Sequence, residues 1–242
     1  LILKIMSGVL YLIPSPIGDI KNVDYLTKND LTALLKLKYF IVEDEKTARA
    51  FLHYCGHSLD SQVVFTEYNE HNYKNYFNNE WLKYIKAGND IGLISEAGTP
   101  CVADPGSEIV LTAQLNNIDV KPFTMPSSII LALMSSGLNG QKFTFHGYLN
   151  KNEDKLKGQI KYLEKESKKN RYTQIFMEAP YRSQKTFETL IHTLYDDTLL
   201  SVAAELSTSN QFIKTKQVKA WKKTSIDLNK KRCIFLFLAS HS

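Results

Sequence analysis

Short apolar runs alternate with amphipathic stretches along most of this chain, and that alternation leaves few folds open. Val9-Leu-Tyr-Leu-Ile13 is an apolar run closed by Pro14-Ser-Pro16, which predicts a buried strand ending in a loop. Leu31, Leu34 and Leu35 recur at helical spacing before the strand-like Tyr39-Phe-Ile-Val42. A helix from about Lys46 to Tyr54 is expected to stop at Gly56, with Gln62-Val-Val-Phe65 as a third strand. Phe77, Trp81, Tyr84 and Ile85 then form one helical stripe stopped by Gly88. Ile91-Gly-Leu-Ile94 reads as a fourth strand. A Gly/Pro-rich segment and a helix carrying Ile109, Val110 and Ala113 come next, with Ile118–Val120 as a fifth strand. Strands that alternate with helices at this spacing predict βαβ units and a mainly parallel sheet covered on both faces.

Lys121-Pro-Phe-Thr-Met-Pro126 looks like a hinge into a second unit. Beyond it the pattern predicts a helix near Ser128–Ser136, a strand near Phe143–Phe145 and a lysine-rich helix near Glu153–Lys169. A strand at Thr173–Met177, a helix carrying Phe187, Leu190, Ile191 and Leu194, and strands at Leu199–Ala204 and Ile234-Phe-Leu-Phe-Leu238 complete it. The expected organisation is an α/β fold of two domains: residues 1–122 with a mainly parallel sheet, and residues 123–242 with a mixed one.

No apolar run approaches the roughly 20 residues that a membrane-spanning helix needs. A signal peptide is not expected, because a strand-like run begins just after the short apolar opening Leu1–Met6. Cys55, Cys101 and Cys233 are scattered and lack C-x-x-C spacing, so neither a disulfide framework nor a metal site is expected, and a cytoplasmic location is. The net charge of +5 hides an asymmetry: residues 1–122 hold 11 Lys and Arg against 15 Asp and Glu, the remainder 19 against 10. A basic C-terminal half suits a polyanionic partner, and equally a lysine-rich solvated surface. Lys151, Lys155, Lys157, Lys161, Lys165, Lys168 and Lys169 crowd one helix, and Lys214, Lys216, Lys219, Lys222 and Lys223 follow.

Ligands of open parallel sheets bind beyond the carboxyl ends of the strands. Three segments stand at such ends: Pro14-Ser-Pro-Ile-Gly-Asp19, Glu43-Asp44, and Ser95-Glu-Ala-Gly-Thr-Pro-Cys-Val-Ala-Asp-Pro-Gly106. In the last, Gly98 and Gly106 permit positive φ or close approach, while Pro100 and Pro105 fix the path and withhold amide donors. Such a loop can offer backbone groups to a nucleotide-like ligand, with Asp104 as a possible cap for the following helix. Neither G-x-G-x-x-G nor G-x-x-x-x-G-K-[ST] occurs, which disfavours a nicotinamide dehydrogenase and a P-loop nucleotidase.

Pro14–Asp19 and Ser95–Gly106 resemble the paired signatures P-[TS]-P-I-G-[ND] and S-[DE]-A-G-T-P-x-[IV]-x-D-P-G of the tetrapyrrole methylase family, in the branch that methylates a cytidine ribose of small-subunit ribosomal RNA. Val42-Glu-Asp44, Tyr68-Asn-Glu-His71, Met125-Pro-Ser-Ser128, Met177-Glu-Ala-Pro-Tyr-Arg182 and Ala204-Glu-Leu206 are similar, in order, to further family segments. The chain departs from that pattern where Met125 and Ser127 leave a loop without its glycine, where Tyr181 replaces a histidine, and where Ala204 replaces an arginine.

The resemblance implies two α/β domains of the tetrapyrrole methylase type, a homodimer, and S-adenosylmethionine held in a cleft between domains. Carried across residue by residue, the cofactor cradle is Pro16, Ser95, Glu96, Ala97, Gly98, Thr99, Val102, Pro126, Ser127, Ser128, Met177 and Ala204. A ribose hydroxyl is a poor nucleophile, so a base should help remove its proton. Among Asp19, Glu43, Asp44, Glu96, Glu178 and Glu205, the two candidates chosen are Asp19 and Glu178, with Arg182 available to a phosphate. The implied partner is ribosomal RNA or the small ribosomal subunit. Methylation of a corrinoid precursor or other small molecule, and non-catalytic cofactor binding, remain alternatives.

Overall fold

The computed structural model describes residues 7–19, 21–68, 80–124 and 127–240. The chain divides into two units, Leu1–Pro126 and Ser127–Ser242.

Among the described residues the first unit is built on five strands, β1 (Leu10–Ile13), β2 (Tyr39–Val42), β3 (Val64–Glu67), β4 (Ile91–Ile94) and β5 (Val120–Pro122). They lie in the order β3-β2-β4-β1-β5, and every neighbouring pair is parallel. The interleaved helices are α1 (Lys28–Leu34), α2 (Glu45–Tyr54), α3 (Glu80–Lys86) and α4 (Ser107–Leu115). Because side chains alternate across a strand, the apolar runs feed two cores at once. Ile13, Phe40, Val42 and Ile94 pack with Leu34, Phe51 and Leu52 on one face. Leu10, Ile41, Ile91 and Leu93 pack with Trp81, Ile85, Ile109 and Ala113 on the other.

Three boundaries differ from the sequence expectation, each for a local reason. The third strand begins at Val64 because Asp60 spends Gln62 and Val63 in a turn, accepting from both backbone amides. The fifth begins at Val120 because Ile118 still closes the end of α4, donating to the Ala113 carbonyl. Asp104 does not cap α4: the N-cap is Gly106, at φ +117 with no side-chain hydrogen bond. Phe77 lies outside the described residues.

The second unit carries β6 (Phe143–Tyr148), β7 (Thr173–Glu178), β8 (Leu199–Ala204), β9 (Phe212–Gln217) and β10 (Cys233–Leu238) in the order β6-β7-β10-β8-β9. Only β6 and β7 pair in parallel; the rest of the sheet is antiparallel. Its helices are α5 (Ser128–Ser136), α6 (Glu153–Asn170), α7 (Ser183–Thr193) and the short α8 (Val218–Trp221). Phe176, Phe235, Phe237, Leu200 and Val202 meet Leu156, Ile160 and Leu163 of α6 and Phe187 and Leu190 of α7 in one core. Trp221 closes it, its Nε1 donating 2.8 Å to the Leu200 carbonyl. Helix α5 packs on the strands β8, β9 and β10. Strand β9 and helix α8 are additions to the predicted pattern. Lys214 and Lys216 on an edge strand mask its alternation, as charged edges do.

No helix among the described residues is long and apolar enough to cross a membrane. The three cysteines are free, and burial pushes the Cys55 thiol up to about 12 and the Cys233 thiol up to about 11.

Candidate functional site

The two signature loops of the first unit are tied to each other by main-chain hydrogen bonds. Strands β1 and β4 are sheet neighbours, so the loops leaving their carboxyl ends begin side by side. Ser15 donates its amide to the Gly98 carbonyl at 3.0 Å and accepts from the Gly98 amide at 2.9 Å, a bridge outside the regular ladder. The buried Ser95 hydroxyl completes the latch by donating to the Gly98 carbonyl at 2.6 Å and accepting from the Ser15 amide at 3.3 Å. Tyr25 secures the other loop, its hydroxyl donating to the Pro14 carbonyl at 3.1 Å.

Past the latch the backbone is left-handed at four places: Gly98 at φ +85, Cys101 at +67, Ala103 at +57 and Gly106 at +117. Two of these residues carry side chains, and such conformations cost free energy that the surroundings must hold in place. Gly106 has a second constraint, since a Cβ there would stand 2.8 Å from Leu93 Cδ2. At Gly98 and Gly106 the segment has no side chain to cover its backbone. Glu96 and Ala97 are exposed, Pro16 and Thr99 half-buried, and Val102 is 49% exposed.

Carboxylates gather at the same strand ends. Burial and the neighbouring Glu43 and Glu96 push Asp104 up to about 8 from an ordinary 3.8. Glu96, although exposed, is raised as well, by partial desolvation of its carboxyl and then by the charges of Glu43 and Asp44. The Asp104 oxygen Oδ2 is buried with no hydrogen-bond partner among the described residues. Sequence alone offers Glu43 and Glu96 as bases and Asp104 as a cap, and gives no sign that Asp104 hydrogen-bonds Glu43. Asp44 is occupied otherwise: as N-cap of α2, its Oδ1 accepts from the Thr47 amide at 2.7 Å and hydroxyl at 2.8 Å. Asp19 is exposed, and its Oδ1 accepts from the Lys21 amide at 3.0 Å.

In the second unit, β10 brings Glu178 and Ala204 to one end of the sheet, since both stand opposite Cys233 in register. Glu178 is buried, and both its oxygens are engaged. Oε1 accepts from the Ala179 amide at 2.8 Å; Oε2 accepts from the Thr186 hydroxyl at 2.7 Å and pairs with Arg182 at 3.3 Å. Arg182 also donates to the Asn150 carbonyl at 3.0 Å. Alongside, Glu205 Oε1 accepts from the Arg232 amide at 2.6 Å, and its Oε2 pairs with the Arg232 guanidinium at 3.2 Å. These bonds hold Glu205 below its ordinary value although burial pushes it up.

Met177 is half-buried, whereas the Ala204 side chain is fully inside the core, which leaves only its main chain to offer. Ser127 is the N-cap of α5 without a side-chain cap bond, and Ser128 is the first helical residue. Pro126 and the segment around His71 lie outside the described residues.

A family model described as Tetrapyrrole (Corrin/Porphyrin) Methylases matches residues 9–220. Among curated proteins, the chain is 32% identical over 200 residues to "Ribosomal RNA small subunit methyltransferase I" of Bacillus subtilis, covering 83% of this chain and 64% of that protein. It is 32% identical over 201 residues to the Synechocystis protein of the same name, covering 83% and 67%. To that of Buchnera aphidicola it is 27% identical over 236 residues, covering 96% and 78%. The chain thus spans a little under two thirds of the Bacillus protein. Among solved structures, diphthine synthase aligns with a TM-score of 0.65 at 16% identity, over 96% of this chain and 90% of that one, a likeness of fold.

Proposed function

This chain belongs to the tetrapyrrole (corrin/porphyrin) methylase family, and from that premise we propose that it transfers the methyl group of S-adenosylmethionine to RNA, most specifically to a ribose hydroxyl of the small ribosomal subunit. The observation that carries the reading is the latched, left-handed loop from Ser95 to Gly106 beside Pro14–Asp19. The relatives named as ribosomal RNA small subunit methyltransferases support the acceptor, as does the excess of 19 basic over 10 acidic side chains from residue 123 onward.

The residues present fit such a cofactor. Its adenosine would be held by the main chain of the Ser95–Gly106 segment, and its positive charge would be met by Glu43 and Glu96 beside Asp104, whose buried Oδ2 has no hydrogen-bond partner among the described residues. When bound, S-adenosylmethionine supplies an electrophilic methyl group on a sulfonium. The proposed contacts are Pro16, Ser95, Glu96, Ala97, Gly98, Thr99, Val102 and Pro126 in the first unit and Ser127, Ser128, Met177 and Ala204 in the second.

The chain's part in methyl transfer is chiefly to position the acceptor, which can contribute about 7–11 kcal/mol of the barrier. Asp19, exposed at the loop tip, is the candidate to take the hydroxyl proton. Glu178 is the second candidate; being buried and hydrogen-bonded at both oxygens, it is proposed to act by holding Arg182 in place. A cytoplasmic homodimer is proposed with this activity. The apolar pairs Leu111 and Leu115 on α4 and Ile130 and Met134 on α5, each 47% to 75% exposed, are candidates for burial in it.

Incubation with methyl-labelled S-adenosylmethionine and small ribosomal subunits tests the proposal. Label is expected in RNA, in a nucleoside modified on its ribose. Label confined to small molecules replaces the acceptor, and no transfer to either removes the enzyme reading.

A further inference from the structure

The lysine-rich helix α6 turns a basic face outward. Its inward face is spent: Leu156, Ile160, Leu163, Glu164 and Ser167 are buried, and Glu164 accepts from the Tyr195 amide at 2.9 Å and the Thr198 hydroxyl at 2.5 Å. On the opposite side, Lys155, Gly158, Lys161, Tyr162, Lys165 and Lys169 fall together at 3.6 residues per turn, and all six are exposed. The four lysines make no ion pair among the described residues. Nearby acids are largely engaged elsewhere. Glu153 is shared by Lys157 at 2.8 Å and Lys185 at 2.9 Å, and Glu166 accepts from Asn170 at 3.0 Å. Asp154 sits in the first turn, where the helix dipole favours it.

Two further features interrupt the lysines. Tyr162 is 61% exposed in their midst. Gly158, one turn before it, is a poor residue for a helix interior, and a Cβ there would meet nothing within 4 Å, so packing does not call for it. A helical side chain lies over the turn preceding its own Cα, which places the tyrosine ring beside this bare position. An exposed ring and a position without a side chain thus stand one turn apart within a strip of positive charge.

We propose that the outward face of α6 is an RNA-docking strip, in which Lys155, Lys161, Lys165 and Lys169 contact phosphates while Tyr162 stacks on an unpaired base over Gly158. This rests on the RNA reading above and names the surface that reading needs. From Lys155 to Lys169 the helix runs about 21 Å, enough to follow several successive phosphates of a single strand. Aromatic rings set between cations are the recurring means of gripping single-stranded nucleic acid. A bilayer is a poorer match: the apolar face that would enter it is already in the core.

Fluorescence anisotropy with a labelled single-stranded RNA, with heparin as a polyanion lacking bases, and with phosphatidylserine vesicles separates the possibilities. The quadruple variant K155Q/K161Q/K165Q/K169Q should flatten the log–log salt dependence of RNA binding by about three, at roughly 0.7 for each phosphate no longer neutralised. Tyr162→Ala should weaken RNA binding about tenfold, leave heparin binding and the salt slope unchanged, and be rescued by Tyr162→Phe. Cofactor-induced stabilisation should be unaltered in every variant. Wild-type RNA binding that all these variants retain overturns the strip while leaving an RNA acceptor standing elsewhere on the molecule. Absence of wild-type RNA binding overturns the RNA acceptor itself. Vesicle binding that depends on these lysines, with RNA affinity unmoved, overturns the strip in favour of a lipid surface.

Discussion

The first unit binds its sheet with parallel strands only and places its candidate residues on loops whose backbone conformation matters more than their side chains. The second unit, with a mixed sheet of the same strand number among the described residues, offers side chains instead: a clamped Arg182, a Glu205–Arg232 pair and a basic helix. Parallel strands need crossovers, so their carboxyl ends all discharge loops at one edge, and β1 and β4 become neighbours whose loops can be latched. Antiparallel pairing returns the chain across the sheet, which is how β10 brings Glu178 and Ala204 opposite one residue, Cys233. In the proposed function, the first unit presents main chain to the cofactor and the second presents charge to the RNA.

Substitutions that treat the two units alike should expose this contrast. The largest effect is expected in the second core. Phe235, 0% exposed and stacked on Phe176 at 5.6 Å between centroids, should lose about 3–5 kcal/mol of stability on Phe235→Ala, read from urea unfolding. A loss below about 1 kcal/mol would mean that β10 is not the central strand it is taken for.

Glycine-to-alanine changes should then give opposite signs. Gly106→Ala, at φ +117 with a Cβ 2.8 Å from Leu93 Cδ2, should cost about 1–3 kcal/mol. Gly158→Ala, on an open helix face, should instead add about 0.5–1 kcal/mol. Equal signs in the two denaturation curves would erase the distinction between backbone-determined loop and side-chain-determined helix.

A pH-dependent effect follows from Asp104. Its folded value, about 8, stands above its ordinary 3.8, so the native state holds the proton more tightly than the unfolded chain. The stability this contributes is full below 3.8 and is lost as pH rises towards about 8. Asp104→Asn should flatten the fall of the urea midpoint across that window; an unchanged slope would show that Asp104 is an ordinary surface carboxylate.

Much of this was legible in the sequence, for physical reasons that differ by residue. Strands buried on both faces read as unbroken apolar runs, so β1, β2, β4 and β10 stood out, whereas β9 hid behind its edge lysines. Gly98 was legible because few residues tolerate its φ of +85. The Asp104–Glu43 contact was not, because it joins loops brought together only by the strand order. Glu178 looked like a candidate base because a carboxylate at a strand end signals chemistry; that Ala179, Thr186 and Arg182 would occupy it is a matter of tertiary packing. Likewise the lysines could be counted but not sorted. Lys216 donates to Thr224 at 2.8 Å and lies over the Trp221 ring, and Lys222 pairs with Asp196, whereas Lys155, Lys161, Lys165 and Lys169 of α6 face solvent.

The central claim is that the latched loop of the first unit holds S-adenosylmethionine through its main chain, and calorimetric titration of the protein with that cofactor tests it most directly. Binding with one site per chain is expected for the unmodified protein, accompanied by stabilisation of about 2.7 kcal/mol at a hundredfold excess over the dissociation constant. Gly98→Val should abolish both, since a β-branched residue does not hold φ +85 and its Cβ would press within 3.3 Å of Ile17. Binding that survives Gly98→Val undiminished, or no binding to the unmodified protein at millimolar cofactor, would contradict the account.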